Sequence, residues 1–126
     1  MLKLKFFTTS LFFTAALALL PLAAQAYSNS DLAAVLAGCS CPGGDLSGAD
    51  LYGLNLAGSN FNNADFTEAR LDKTKLDKAQ LRDACFSNAL LSRASLRGAD
   101  LSNANFSYAV ASFADFTNAK LQDAYL

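Results

Sequence analysis

The sequence predicts an all-β solenoid of square cross-section, and three observations predict it. From Leu46 to Leu126 a centre recurs at every fifth residue, and sixteen of these seventeen centres are Leu or Phe. Ala stands two places ahead of the centre in thirteen of the seventeen units, the others having Gly44, Leu54, Ser59 and Thr74 there. Asp or Asn often precedes the centre, and Ser or Thr often follows it. The register never slips. Between Gly44 and Leu126 only Leu54, Leu90 and Phe113 are Leu or Phe outside it, and only Ala111 replaces a large centre. Self-similarity at a fixed period is the mark of a repeat architecture.

Geometry excludes the ordinary elements. On an α-helix five residues advance about 500°, so successive centres sit about 140° apart and form no stripe. On a single strand an odd spacing sends successive centres to opposite faces. The chain must therefore turn once per unit. An extended piece holds the Ala and the centre on the inner side, and the remaining residues make a corner. Ser, Thr, Asn, Asp and Gly suit such corners because they turn the backbone and satisfy its polar groups locally. Four quarter-turns close a lap of about twenty residues, and laps stack about 4.8 Å apart by strand-type hydrogen bonds.

The elements follow in chain order. Residues 1–26 read as a signal peptide: Lys3 and Lys5, an apolar run from Phe6 to Leu20, then Ala24-Gln25-Ala26 as a small-residue cleavage site. There is no twin arginine, which favours the general export route. Residues 27–43 read as an N-terminal cap. Ser28 or Ser30 is expected to cap a short helix from Asp31 to Ala37, with Asp31 in its first turn and Gly38 as a left-handed stop. The stretch Val35 to Cys39 matches a lipobox, whose cysteine would be lipidated. The polar residues Tyr27 to Asp31 stand between it and the apolar run, which favours the helix. Residues 44–126 are the repeat domain of about four coils.

Residues twenty apart should stack. One inner column is Leu46, Phe66, Phe86, Phe106 and Leu126, with its rings offset-stacked; another is Leu51, Leu71, Leu91 and Ala111, which leaves a gap unless Phe116 closes it. Outside, Asp50 should face Arg70, Asp77 should face Arg97, and Asp100 should face Lys120. Asp45 and Asp65 stack as like charges, but two carboxylates are too few for a calcium cage. No metal or other cofactor is expected.

Removing Lys3 and Lys5 leaves 8 basic and 11 acidic side chains, a balance that argues against a nucleic-acid partner. The chain has no His, the commonest general base and the usual partner of Ser and Cys nucleophiles. Asp recurs because the repeat places it, and Cys85 has no basic neighbour in sequence to activate it. The chain reads as a non-enzyme.

The stretches GADLSNANF, NADFTEARL and AGSNFNNADF resemble the pentapeptide-repeat family, whose unit is Ala-Asp/Asn-Leu/Phe-x-x. The resemblance covers Gly44 to Leu126 and implies a right-handed quadrilateral β-helix. The opening GCSCPGGDLSGADL is similar to small exported members of cyanobacteria and plant chloroplasts, in which Cys-Pro-Gly-Cys-Asp-Leu precedes the first coil. Here Gly43 and Gly44 follow Pro42, and the neighbouring cysteines are Cys39 and Cys41. Cys85 lies about 10 Å or more up the stack, beyond bridging distance, so a Cys39–Cys41 disulfide is the intrachain pairing open to this sequence.

What remains is binding or scaffolding. Leu90, Tyr108, Val110 and Phe113 fall on adjoining outer walls that are otherwise polar, and they form a candidate contact patch for an unknown protein partner. The repeat runs to Leu126, and a coil end with open backbone groups suggests an end-to-end homodimer. The reading is an exported, non-enzymatic structural or interaction module of the periplasm or thylakoid lumen, without membrane association in its mature form unless Cys39 is lipidated. The alternative is a DNA-mimicking inhibitor of gyrase-like enzymes, which the resemblance also admits. The export signal, the short solenoid and the mixed charge weigh against it.

Overall fold

The computed structural model describes residues 29–126; the expected signal peptide, residues 1–26, lies outside them. Helix α1 spans Asn29–Leu36. It begins two residues before the expected Asp31, so Ser30 lies inside its first turn; Ser28, the other expected cap, lies outside the described residues. Its end follows the expectation. Gly38 takes a φ of 80°, its N–H donates to the Val35 carbonyl at 2.9 Å, and the Cys39 N–H donates to the Ala34 carbonyl at 2.9 Å. This is the paired closure that a left-handed glycine permits. Leu32 and Val35 turn inward and join the core of the first coil. The Asp31 carboxylate accepts the Asp45 N–H at 2.9 Å, tying the helix to the solenoid.

The solenoid starts at Cys41, one unit ahead of Leu46. Cys41 donates its N–H to the Asn60 carbonyl at 3.0 Å and is buried, as Phe61, Leu81 and Leu101 above it are tied and packed. Cys41-Pro42-Gly43-Gly44 forms the first corner: the Gly44 N–H closes onto the Cys41 carbonyl at 3.1 Å, and Gly43 has a φ of 68°. Pro second and Gly third is the preferred chemistry of a type II turn. Gly44 occupies the inner place that Ala holds elsewhere, because a Cβ there would collide with the Cys41 sulfur. A cysteine in a centre position is invisible to a register built on Leu and Phe.

From there the chain repeats one pattern. Parallel bridges join Asp45 to Asp65, Asp50 to Arg70, Asn55 to Lys75 and Asn60 to Gln80, so each of four walls meets its own copy twenty residues later. Within a wall, the Leu46 N–H donates to the Asp65 carbonyl at 2.8 Å, the Gly48 N–H to Thr67 at 2.7 Å, and the Asp65 N–H back to Gly44 at 2.9 Å. Every corner closes with the N–H of the inner residue on the carbonyl of the preceding centre, as in Ala49 to Leu46 at 3.0 Å. The residue two after each centre, from Gly43 to Asp123, has a positive φ near 60° to 70°. None of these residues is β-branched, which fits a backbone region hostile to branching.

The centres fill the axis. Leu46, Phe61, Phe66, Phe86, Leu91 and Leu101 are among the fully buried side chains, and Ala lines the wall between them. Phe66 and Phe86 stack at 5.0 Å between centroids with planes 3° apart, and Phe86 and Phe106 at 4.8 Å and 6°. These separations equal the strand spacing, so the backbone pitch sets the ring stack. Phe61 meets Phe66 edge-on at 5.4 Å. Beside Ala111, which is half-buried, Phe116 leans edge-on against Phe106 at 5.9 Å. Leu126, expected at the head of the Phe column, is exposed. Thr74 replaces an inner Ala at no polar cost, since its hydroxyl donates to the Leu51 carbonyl at 2.7 Å.

Each buried centre contributes about 2 kcal/mol. Phe86→Ala should lower unfolding free energy by about 3 to 5 kcal/mol, leaving a hole between two rings. Ala89→Leu should lower it by about 1 to 3 kcal/mol by overpacking the wall. Urea titration followed by circular dichroism measures both.

Candidate interaction surface

The outer surface is governed by one local need. The residue after each centre points its N–H outward, away from the ladder. Where Asp or Asn stands two places earlier, it accepts that N–H: Asp50 from Tyr52 at 3.1 Å, Asp65 from Thr67 at 2.8 Å, Asn105 from Ser107 at 2.9 Å and Asp115 from Thr117 at 2.9 Å. Where that place holds Gln80, Leu90 or Ser95, a residue one lap below substitutes. Asn62 accepts from Arg82 at 2.9 Å, Asp72 from Ser92 at 3.2 Å and Asp77 from Arg97 at 3.0 Å. The recurring carboxylates are turn acceptors.

This duty redirects the ion pairs. Arg70 reaches Asp50 at 3.2 Å, as expected, and also Asp72 at 3.6 Å. Asp77 and Arg97 are stacked, but Asp77 takes the Arg97 N–H and the Ser95 hydroxyl, and the Arg97 guanidinium goes to Asp115 at 3.7 Å. Asp100 bridges to Lys120 through the backbone, while its side chain pairs with Arg82 at 3.9 Å. Long arginines reach diagonally to the neighbouring position, a contact that stacking by twenties does not anticipate. Exposed pairs of this kind are worth about 0 to 1 kcal/mol.

Two carboxyls are held below their usual range. For Asp100 the Ser102 hydroxyl is the main cause; partial burial opposes it, and the Ser102 N–H, Arg82 and Lys120 add to the lowering. For Asp115 the Thr117 hydroxyl and N–H do the same, with Arg97 assisting.

The three cysteines are free thiols: Cys39 exposed, Cys41 buried, Cys85 half-buried. The expected Cys39–Cys41 pairing is not made, because Cys41 occupies a centre position and sends its sulfur to the axis. Burial first, then the Asp31 carboxylate, pushes the Cys41 thiol up. Cys85 stands in an Asp/Asn position; its thiol donates to the Ser87 hydroxyl at 3.4 Å and lies 3.3 Å from the Thr67 hydroxyl. Burial pushes its thiol up, but hydrogen bonds with Ser87 and Thr67 outweigh this, and its pKa is lowered overall. Among the described residues no three of His, Cys, Asp and Glu cluster to hold a metal, and no helix is long and apolar enough to cross a membrane.

The four residues of the expected patch share one wall and its two corners. Leu90 bridges directly to Val110, above Asp50 and Arg70. Tyr108 and Phe113 are the corners flanking Val110, 87% and 88% exposed, against 42% for Leu90 and 45% for Val110. Both corner aromatics have a positive φ, 58° for Tyr108 and 60° for Phe113. The other corners carry Gly, Asn, Asp, Glu, Lys or Arg. Lower on the wall, Tyr52 is covered by Arg70, 4.5 Å from its ring centroid, and by Lys73 at 5.4 Å. A cleft lined by Ser107, Tyr108, Tyr125 and Leu126 opens beside Tyr108. The left-handed corners were missed from the sequence, although the Gly and Asn recurring two places after the centre carry that signal.

Comparison with known proteins follows the same repeat. Residues 33–67, 49–88 and 84–123 match the family of pentapeptide repeats, in 8 copies. A pentapeptide repeat protein of the Arabidopsis thaliana thylakoid lumen is 36% identical with a TM-score of 0.59, over 60% of this chain and 52% of that one. The pentapeptide repeat protein Rfr23 of the cyanobacterium Cyanothece 51142 is 25% identical with a TM-score of 0.39, over 62% and 57%. QnrB1, a plasmid-mediated fluoroquinolone resistance protein, is 24% identical with a TM-score of 0.46, over 60% and 45%. The chain spans about half the length of these solved structures. No curated protein matches it.

Two outcomes are expected. The stability Asp100 contributes is fully present above the unfolded carboxyl pKa of about 3.9 and is lost as pH falls through the lower folded value. Melting temperature should therefore fall below about pH 4, and Asp100→Asn, whose amide oxygen still accepts from Ser102, should flatten that fall. Phe113→Asn should raise unfolding free energy by about 1 kcal/mol, because Asn accepts the left-handed backbone more readily.

Proposed function

The chain belongs to the pentapeptide-repeat family, and on that premise we propose that it is an exported, non-enzymatic solenoid that binds a protein through the Leu90–Val110 wall. The family's right-handed quadrilateral β-helix supplies the rod of about four coils, and α1 closes its N-terminal end. The observation that carries the reading is Tyr108 and Phe113. Both are more than four-fifths exposed, and both hold a backbone conformation unfavourable to aromatic side chains. Burial in the fold does not compensate either cost, and local rules broken without structural gain mark functional positions.

Export rests on the first 26 residues, with their basic start, apolar run and small-residue site. A thylakoid-lumen protein among the structural relatives supports the same direction. The compartment is the periplasm or the thylakoid lumen. A rod tied together by backbone bonds has few parts able to close over a substrate, and with no His in the chain the role of holding a partner suits it better than chemistry.

Mass spectrometry of the protein from its native compartment should find Tyr27 at the N-terminus; retention of Met1, or a lipid on Cys39, contradicts the export reading. Affinity capture with the protein, compared with a Leu90→Asp/Phe113→Asp variant of equal melting temperature, should lose its partner in the variant. Equal recovery contradicts the wall.

A further inference from the structure

Resting on that reading, we infer that the partner segment seated on the Leu90–Val110 wall is an acidic peptide that carries apolar side chains among its carboxylates. Two ridges run up this wall. One is Leu90 and Val110, joined by their bridge. The other is the corner column Lys73, Arg93 and Phe113, one lap apart and therefore about 4.8 Å from each to the next. Level with Leu90 and Val110, Ser92 and Ser112 lie between the ridges, and their small side chains leave a trough along the solenoid axis, with Asp72 at its lower end beneath Ser92.

The charges around this trough are unbalanced. The acids nearest the trough are engaged, Asp50 and Asp72 with Arg70 and Asp115 with Arg97, while Glu68 stands at the far corner column of the wall. Arg93 takes part in no ion pair among the described residues, and Lys73 only faces the Tyr52 ring. A cation directly beneath an exposed phenylalanine, with no carboxylate assigned to it, complements an anionic group that arrives beside an apolar one.

The backbone points the same way. At Ser92 the outward N–H is held by Asp72 at 3.2 Å. At Ser112 the residue two places earlier is Val110 and the one a lap below is Ser92. Among the described residues no acceptor meets its N–H. The trough therefore offers a free donor next to the free guanidinium of Arg93, and a carboxylate satisfies both. Leu, Val or Phe side chains of the same segment cover Leu90, Val110 and Phe113. An anionic bilayer fits less well, because a plane large enough to touch Phe113 and Lys73 also meets Asp50, Asp72 and, at the other corner column, Glu68.

The test is selection of a random peptide library displayed on phage against the full chain, followed by binding of one enriched peptide, made synthetically, to variants. The enriched clones should be rich in Asp and Glu interleaved with Leu, Val or Phe. Arg93→Glu should weaken the synthetic peptide by about tenfold or more, as charge reversal at a contact does. Phe113→Ser should weaken it comparably, and raising salt should weaken it further. Both substitutions are on the surface, so melting temperatures no lower than the parent's verify the fold. Enriched clones without excess acid, or a peptide indifferent to Arg93→Glu, overturn the acidic-partner inference while leaving the wall as a binding site. Indifference to Phe113→Ser removes the wall reading as well. Arg93-dependent capture on phosphatidylserine vesicles, with no peptide enriched, makes the occupant a lipid surface and also overturns the inference.

Discussion

The backbone ladder between laps fixes everything else in this molecule. Each centre donates to the wall above, as Leu46 does to Asp65, and each bridging residue donates back to the wall below, as Asp65 does to Gly44. With both directions engaged on four walls, a lap can only be twenty residues, and every fifth side chain faces an axis too narrow for more than one large group per unit. Leu or Phe at the centre and Ala beside it follow from that width. The Phe66, Phe86 and Phe106 rings stack at the distance the hydrogen bonds dictate. Buried backbone groups are costly to leave unpaired, so the ladder and the core enforce each other.

The corners settle the remaining polar groups, and there surface chemistry and fold are linked. One N–H per unit faces outward, and in most units Asp or Asn caps it from two places back or from one lap below. A carboxylate used in this way is already committed to the backbone. The same accounting exposes the exceptions. Val110 cannot cap Ser112, and Phe113 cannot relax in a left-handed corner. Uncapped N–H groups recur at Asp72, Asp77 and Gln122, but the aromatic corners Tyr108 and Phe113 occur only here among the described residues, flanking Val110, and function is sought there.

Much of this was legible in the sequence because a five-residue period admits almost no other geometry. Inner columns and the Asp50–Arg70 pair follow from counting in fives and twenties, while Leu90, Tyr108, Val110 and Phe113, counted onto adjoining walls, share one wall and its two corners. What escaped the count depends on side-chain reach or on residue type. Arg82 and Arg97 stretch diagonally to Asp100 and Asp115, because a long guanidinium is not confined to its own column. Cys41 is a centre that Leu and Phe do not reveal, and its inward sulfur leaves Cys39 without a partner. Helix α1 begins at Asn29, since Ser30 and Asp31 serve as first-turn residues and the Asp31 carboxylate is directed to the Asp45 N–H. The strain at Phe113 required the backbone angle, because an aromatic at that position looks ordinary in a list of exposed residues.

Proton NMR of the folded protein tests the twenty-residue lap most directly. Selectively labelled Phe rings should give nuclear Overhauser cross-peaks from Phe86 to both Phe66 and Phe106, which stand at centroid distances of 5.0 Å and 4.8 Å. A Phe86 ring that contacts neither, in a protein that is otherwise folded, contradicts the square winding and every wall assignment built on it.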